Sequence, residues 1–150
     1  MTLDHKIQTL EDVCKSLIKA KIPFTLGGSG LLYYLGLVKN FNDLDLVLYC
    51  SEEEAHAALS TYPQTQNKSS DIYTSSFFFQ VTHKEVKFDI MGYFGVKNLG
   101  QDFKLKYKVS KKVGMIPLGE LKDWLTAYEL MERTDKVEII QNALTNVERV

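Results

Sequence analysis

Apolar residues recur at intervals of three and four near the start of the chain, which is the spacing of one helical face. The positions are Ile7, Leu10, Cys14 and Leu17. This pattern predicts a first helix that ends before Lys21, because Pro23 disfavours helical geometry in the residue that precedes it. The residues after Pro23 then form a short apolar run.

That run, Phe24 to Leu26, predicts a strand, and helical spacing resumes immediately afterwards. The second helical pattern consists of Leu31, Leu32, Leu35 and Val38. Gly27, Gly28 and Ser29 therefore fall at a strand-to-helix turn. Glycines let a ligand approach the backbone closely, and the first N–H groups of a helix have no partner within it. Such a turn suits an anion such as phosphate. A tight turn that only packs a helix against a strand gives the same pattern.

The middle of the chain alternates strand and helix signals. We predict a strand over 43–50, and Ser51 and Glu54 form a capping box that begins a short helix. Its inward side chains are predicted to be Ala55, Leu59 and Tyr62. A polar loop is predicted over 63–70. Two strands, 72–82 and 83–93, are then predicted to pair as a hairpin that turns around 82–84.

The last third of the chain is predicted to be mainly helical. A short strand is predicted over 112–116, and two apolar stripes at helical spacing follow. The stripes are Leu121, Trp124, Leu125, Tyr128 and Met131, then Val137, Ile140, Leu144 and Val147. This order of elements predicts an α/β (α+β) fold: a small mixed β-sheet flanked by helices, with helices at the C-terminus.

Length and composition bound the remaining possibilities. The chain has 150 residues, 45% hydrophobic and 25% charged, which predicts one domain over residues 1–150 with a sizeable core. No apolar stretch approaches the length of a membrane span, and the N-terminus lacks the pattern of a secretory signal. We therefore expect a cytoplasmic protein without a membrane partner.

The net charge of −1 gives no overall attraction to nucleic acid, but lysines cluster locally. The cluster consists of Lys104, Lys106, Lys108, Lys111 and Lys112. Lysines at a solvated strand edge explain such a strip, since they deter aggregation through that edge. A track for an RNA end or a triphosphate is the alternative, although the sequence shows no phasing of aromatic residues with these lysines.

Two carboxylates in the predicted strand over 43–50 carry the chemistry. Asp43 and Asp45 are one residue apart, so on a strand they project to the same face. Like charges this close raise each other's pKa, a cost that a divalent cation removes. Mg²⁺ accepts one or two carboxylates and completes its coordination with water and substrate phosphate. Alone, the Asp-x-Asp pattern is also typical of a solvent-facing strand.

The combination of the glycine turn and these carboxylates resembles the signature of the polymerase-beta-like nucleotidyltransferase superfamily. Gly28 and Ser29 precede Asp43-Leu-Asp-Leu46 by thirteen residues. A third carboxylate is required on a later strand, and Asp89 lies on the polar face of Val86–Met91, whereas Glu85 is out of phase. Segments 116–125 and 133–136 are similar to the C-terminal helical part of small bacterial members, many of them uncharacterised.

The resemblance implies a site and a reaction. Gly27, Gly28 and Ser29 would hold the β- and γ-phosphates of a nucleoside triphosphate, with Lys39 at the place of an arginine found in many small members. Phe41 stands where those members carry a hydroxyl. The catalytic residues Asp43, Asp45 and Asp89 would be the ligands of two Mg²⁺ (or Mn²⁺) ions. The implied enzyme is a Mg-dependent nucleotidyltransferase that moves a nucleoside monophosphate to a hydroxyl acceptor.

Three questions stay open at the level of sequence. The fold is also compatible with a catalytically inactive binding or regulatory module, as in a toxin–antitoxin-like pair. Metal-dependent phosphodiester hydrolysis is a further use of the carboxylates, although a nuclease has less need of a triphosphate turn. The acceptor, whether a small molecule, a protein or a tRNA end, has no motif, and neither the nucleotide base nor the oligomeric state can be read.

Overall fold

The computed structural model describes residues 2–66 and 71–148, with side chains described as far as residue 146. The helices are α1 (Leu3–Lys19), α2 (Gly28–Tyr34), α3 (Glu52–Ala58), α4 (Leu121–Leu130) and α5 (Thr134–Glu148). The strands are β1 (Phe24–Gly27), β2 (Leu44–Leu48), β3 (Gln64–Gln66), β4 (Phe77–His83), β5 (Val86–Gly92), β6 (Gly95–Asn98), β7 (Gln101–Lys104), β8 (Lys111–Val113) and β9 (Ile116–Leu118). The predicted α+β class is confirmed.

Seven strands form one mixed sheet in the order β3-β4-β5-β2-β1-β9-β8. The central strands β2 and β5 run parallel, with Asp45 opposite Asp89 in the register. Strand β1 lies antiparallel to β2 and parallel to β9. Strands β6 and β7 form a separate two-stranded ribbon. The strands that carry Asp45 and Asp89 are therefore neighbours, although more than forty residues separate these two aspartates along the chain.

The two faces of the sheet differ in chemistry because strand side chains alternate. One face is fully apolar and includes Leu26, Leu46 and Ile90, all with 0% exposure. Helix α2 packs there, since Gly30 lies against Leu26 and Leu44. The other face carries Asp45 and Asp89 and is covered by α4 through its tryptophan. The apolar face anchors the sheet, which leaves the polar face to form a site.

Several predicted boundaries were wrong. Helix α2 ends at Tyr34, so Leu35 and Val38 lie outside it, because Gly36 turns the chain with φ +77°. The hairpin between β4 and β5 turns at Lys84 and Glu85, which both have positive φ, as a two-residue type I′ loop requires. The predicted strand over 72–82 begins only at Phe77, and its partner ends at Gly92.

Other differences are additions to the predicted elements. The loop over 63–70 contains the edge strand β3, and its residues 67–70 lie outside the described ranges. The single strand predicted over 112–116 is a hairpin of β8 and β9 that turns at Gly114, where φ is +59°. Strand β2 is shorter than the predicted 43–50, so Asp43 precedes it. The capping box of α3 is confirmed. The side chain of Val147 is outside the described residues.

In the described ranges, no helix is both long enough and apolar enough to cross a membrane.

Candidate functional site

Two carboxyl groups lie side by side in the middle of the sheet. Asp45 of β2 is the register partner of Asp89 of β5, and both side chains are partly buried. Gln80 of β4, the register partner of Asp89 on the other side, donates a hydrogen bond from Nε2 to Asp89 Oδ1 at 3.0 Å. Asp89 therefore lies on the polar face of the sheet next to Asp45, and its catalytic and metal-binding roles stay predictions.

The surroundings of this pair favour protonation of its carboxyl groups. Burial, followed by the negative charges of Asp89 and Asp43, raises the pKa of the Asp45 carboxyl from 3.8 to about 7. Burial also raises the pKa of Asp89, while the hydrogen bond from Gln80 opposes that rise. Protonation of one of the two carboxyls leaves a single negative charge where two would repel. Two carboxyl groups held so closely away from water are typical of functional sites.

We predict that Asp45→Asn stabilises the protein at pH 8 but has little effect at pH 4. The folded-state pKa of Asp45 is raised, so its stabilising protonated form is fully present below pH 4 and is lost as pH rises towards 7. Asn is neutral at every pH and can still donate to Asp89. The expected gain at pH 8 is about 1–3 kcal/mol in the free energy of unfolding, measured by urea denaturation at both pH values. Equal free energies of unfolding for wild type and Asp45→Asn at pH 8 would contradict the interpretation of Asp45 and Asp89 as a buried carboxyl pair.

Asp43 lies apart from the pair, in the exposed bend just before β2. Its charge contributes to the raised pKa of both Asp45 and Asp89. Ser29 Oγ donates to the backbone oxygen of Asp43 at 3.1 Å and so fixes this bend to the start of α2. Within the described ranges, no three Asp, Glu, His or Cys side chains are grouped so as to hold a metal ion. The metal-ligand roles of the three aspartates stay predictions.

The two glycines of the turn make room for neighbouring side chains. Gly27 lies under the ring of Trp124, and any Cβ there would overlap the indole. Gly28 has φ +57°, and an added Cβ would overlap the Oδ2 atom of Asp45. Any other residue at position 28 would have a strained backbone and would displace the Asp45 carboxyl. The turn therefore determines where the Asp45 carboxyl lies, which is a packing role that the sequence pattern did not separate from phosphate binding.

The carboxyl pair opens into a cavity of about 420 Å³. Its apolar wall is aromatic, and Trp124, which is 2% exposed, stacks on Phe94 with ring centroids 5.2 Å apart. The lining residues are Ser29, Asn40, Phe41, Asn42, Asp43, Asp45, Tyr73, Phe78, Asp89, Met91, Phe94, Trp124, Tyr128, Met131, Arg133 and Lys136. The cavity thus joins acidic groups, amides, aromatic rings and two cations in one space.

Comparisons with known proteins relate this arrangement to solved structures. No protein-family model and no curated protein match the chain. A candidate nucleotidyltransferase from Thermotoga maritima superimposes with a TM-score of 0.71 and 20% identity, over 97% of this chain and 96% of that one. This chain has the nucleotidyltransferase fold. The solution structure of the antibiotic-resistance factor ANT(2″)-Ia superimposes with a TM-score of 0.62 and 11% identity, over 97% of this chain and 86% of that one. The crystal structure of ANT(2″)-Ia in complex with adenylyl-2″-tobramycin superimposes with a TM-score of 0.60 and 10% identity, over 93% of this chain and 90% of that one.

Of the charged residues predicted for the site, the three aspartates line the cavity and Lys39 does not. Lys39 is exposed and is not part of the cavity lining. The cations at the cavity are Arg133 and Lys136, which lie at and after the junction of α4 and α5. Arg133 acts electrostatically on Asp45 and lowers its pKa against the larger opposing effects. Sequence reasoning assigned neither cation a role, although Arg133 is one of only two arginines in the chain.

Phe41 is a wall of the cavity in this nucleotidyltransferase fold, and α1 holds it in place. The buried Lys6 donates from Nζ to the Phe41 carbonyl oxygen at 2.6 Å and to Asn40 Oδ1 at 3.2 Å. The same ammonium lies 5.7 Å from the centre of the Phe41 ring. A lysine is rarely buried without such partners. Lys6 therefore fixes the segment that leads into Asp43.

Proposed function

We propose that this protein is a nucleotidyltransferase that moves a nucleoside monophosphate from a nucleoside triphosphate to a hydroxyl acceptor. The observation that carries the proposal is the Asp45–Asp89 pair facing a cavity that also contains Arg133 and Lys136. Acidic groups suit a cation or a proton in transit, while the two basic side chains suit phosphate oxygens. Both are needed to hold a triphosphate next to a reacting hydroxyl.

The carboxyl pair fits a divalent cation such as Mg²⁺ or Mn²⁺. Hard oxygen ligands from one or two carboxylates are what Mg²⁺ takes from a protein when substrate phosphates complete its coordination. Asp45 and Asp89 would hold such a cation, with Asp43 beside them, and the raised pKa values of the pair support this assignment. When bound, the cation would neutralise phosphate charge and make the acceptor hydroxyl more acidic.

The chain's own residues would bind the donor and accept the proton. The hydroxyl of Ser29, the backbone of Gly27 and Gly28, and the side chains of Arg133 and Lys136 would hold the phosphates. The acceptor oxygen forms a bond to the α-phosphorus, and the bond between the α-phosphorus and the bridging oxygen of pyrophosphate breaks. Asp89 would take the hydroxyl proton, a role suited to a carboxylate whose pKa is raised towards neutrality.

The aromatic wall would exclude water and hold the nucleoside. Tyr73, Phe94, Trp124 and Tyr128 line the cavity beside the carboxyl pair, and flat apolar rings suit a base or sugar face. Low water content strengthens the electrostatic interactions between the phosphates and the basic side chains. The same wall supplies a built-in reporter, since Trp124 is the single tryptophan of the chain.

Trp124 fluorescence is the experiment that tests donor binding. We predict a saturable change in its emission when nucleoside triphosphates are titrated with Mg²⁺ or Mn²⁺, because the ring lines the cavity. The Asp43→Asn/Asp45→Asn variant should bind Mg²⁺–nucleotide at least tenfold more weakly, since Asn keeps an oxygen acceptor but loses the charge. Glu85→Gln/Asp102→Asn removes two exposed acids elsewhere and should bind as wild type does. Equal affinity of all three proteins, or no binding by any, would contradict the proposal.

A further inference from the structure

Three tyrosines meet on the surface beyond the end of the two central strands. Tyr49 follows β2 and Tyr93 follows β5, and their ring centroids lie 5.6 Å apart in an edge-to-face arrangement. Tyr107, in the segment between β7 and β8, lies 5.1 Å from Tyr49. The hydroxyl of Tyr49 donates to the carbonyl oxygen of Leu105 at 3.1 Å and so ties this segment to the sheet.

Two of these rings are exposed to an extent unusual for large apolar side chains. Tyr93 is 46% exposed and Tyr107 is 52% exposed. In the described residues only Ile18 and Leu99 are comparable among large hydrophobic side chains, and neither belongs to an aromatic cluster. Tyr93 also has φ +47°, a backbone conformation that is strained for a bulky residue. A cluster of exposed aromatic rings is typical of a binding surface.

The segment around the tyrosines is strongly basic in a chain whose net charge is −1. Residues 93–112 contain six lysines and a single acid, Asp102. Lys106 and Lys108 flank Tyr107, and both are exposed. Lys108 Nζ lies 3.6 Å from Oε1 of the half-buried Glu120, and the charge of Lys108 also acts on Asp123, so these two acids border the surface on the side of α4. We call Tyr49, Tyr93, Tyr107, Lys106 and Lys108 the tyrosine–lysine surface.

We propose that the tyrosine–lysine surface binds single-stranded nucleic acid. Sequence-tolerant binding of single strands combines basic groups that follow the phosphates with aromatic rings on which bases stack. A duplex hides its base faces within the stack, whereas a single strand exposes them to the rings. The phasing of aromatic residues with lysines, which is not visible in the sequence, arises because β2 and β5 end side by side and residues 105–110 cross them.

The surface adjoins the candidate site. Asp45 and Val47 share one face of β2, and Asp89 and Met91 share the same face of β5. Tyr49 and Tyr93 directly follow the ends of these strands. Phe94, next to Tyr93, lines the cavity and stacks on Trp124. A strand bound here would therefore extend towards the carboxyl pair. The further step, that this strand supplies the acceptor hydroxyl, rests on the proposed function, and the binding measurement below does not depend on it.

Fluorescence anisotropy with a fluorescein-labelled oligouridylate of twelve nucleotides tests the proposal, with oligothymidylate and a duplex of equal length as comparisons. We expect both single strands to bind more tightly than the duplex. Tyr93→Ala/Tyr107→Ala should weaken single-strand binding at least tenfold, as expected for the loss of stacking. Tyr93→Phe/Tyr107→Phe keeps the rings and should bind within twofold of wild type. Lys106→Ala/Lys108→Ala should weaken binding. It should also reduce the slope of the logarithm of the binding constant against the logarithm of the salt concentration by about 0.7 per lysine.

Matched controls make the result decisive. Lys15→Ala/Lys19→Ala removes two exposed lysines from α1 and should leave binding unchanged. No binding by wild type in 50 mM salt, or equal binding by the Tyr→Ala variant with its circular dichroism intact, would overturn the proposal. Polyglutamate that competes with the oligonucleotide at equal charge concentration would also overturn it, in favour of an acidic protein partner. Because this assay contains no triphosphate, its failure would leave the proposed transferase function untouched.

Discussion

Asp89→Asn is expected to reduce nucleotidyl transfer by about 100-fold to 10,000-fold, the usual contribution of a positioned general base. The amide cannot accept the hydroxyl proton, yet it preserves the shape of the side chain and its position opposite Asp45. Affinity for Mg²⁺–triphosphate should change only a few-fold, because Asp43 and Asp45 keep their charges for the cation and Arg133 and Lys136 keep theirs for the phosphates. The measurement is the turnover number under saturating donor, set beside the binding constant from Trp124 fluorescence.

The control for this prediction is a neighbouring acid outside the cavity. Glu85 lies in the exposed turn between β4 and β5, four residues from Asp89, and Glu85→Gln should keep the wild-type turnover. Gln80→Leu is an informative third variant, since it removes the hydrogen bond that lowers the pKa of Asp89. We expect the pH dependence of turnover in Gln80→Leu to shift to higher pH. Full activity of Asp89→Asn would remove Asp89 from the mechanism.

Gly28→Ala is expected to abolish activity and to destabilise the fold by about 2–4 kcal/mol. Part of this cost is backbone strain at φ +57°, and the remainder comes from overlap of the new methyl group with the Asp45 carboxyl. Displacement of Asp45 would separate it from Asp89, so transfer should be lost even where the protein remains folded. Urea denaturation gives the free energy of unfolding, and the transfer assay gives the activity.

A double-mutant cycle separates the two contributions. In an Asp45→Ala background the overlap disappears, so Gly28→Ala should then cost only about 1 kcal/mol, the strain alone. An equal cost in both backgrounds would contradict the packing role of Gly28. Gly36→Ala is a useful comparison, because Gly36 has φ +77° but an added Cβ there meets nothing within 4 Å. Gly36→Ala should therefore lower the free energy of unfolding by about 1 kcal/mol, the backbone strain alone, and leave the transfer activity unchanged.

The sequence predicted the parts of the fold that depend on local patterns. The periodicity of α1 and the capping box at Ser51 and Glu54 were sufficient because each involves residues within one or two turns. Strands β4 and β5 followed from alternation. The ribbon of β6 and β7 was missed, since its short strands have too few residues for a period to show. The turn at Gly114 divided one predicted strand in two for the same reason.

The candidate site was predicted in part, and the missing part depends on tertiary contacts. Asp45 and Asp89 were found because an Asp-x-Asp pattern and strand phase are visible in a sequence. The burial of both carboxyls side by side could not be predicted, because it results from parallel pairing of strands distant along the chain. Arg133 and Lys136 reach the cavity through the junction of α4 and α5, whose direction no local pattern fixes. Lys39 was chosen because it stands where many small members of the resembled superfamily carry an arginine, and it lies outside the cavity lining.

The tyrosine–lysine surface also depends on tertiary contacts that local sequence patterns do not predict. Its lysines were visible as a strip, but its rings come from three separate segments of the chain. Tyr49 and Tyr93 become neighbours only when β2 pairs with β5, and Tyr107 joins them through the bond from Tyr49 to Leu105. Sequence separation therefore concealed a pattern that the fold assembles.

The most direct test of the central claim is transfer of label from α-³²P nucleoside triphosphates, measured together with pyrophosphate release. The four nucleotides would be supplied in turn with Mg²⁺ or Mn²⁺, and with aminoglycosides, total tRNA or the protein itself as acceptor. The account predicts that at least one combination gives label transfer matched mole for mole by pyrophosphate, and that Asp89→Asn eliminates both. Nucleotide binding at Trp124 with no transfer to any acceptor would contradict an active enzyme and favour a binding module.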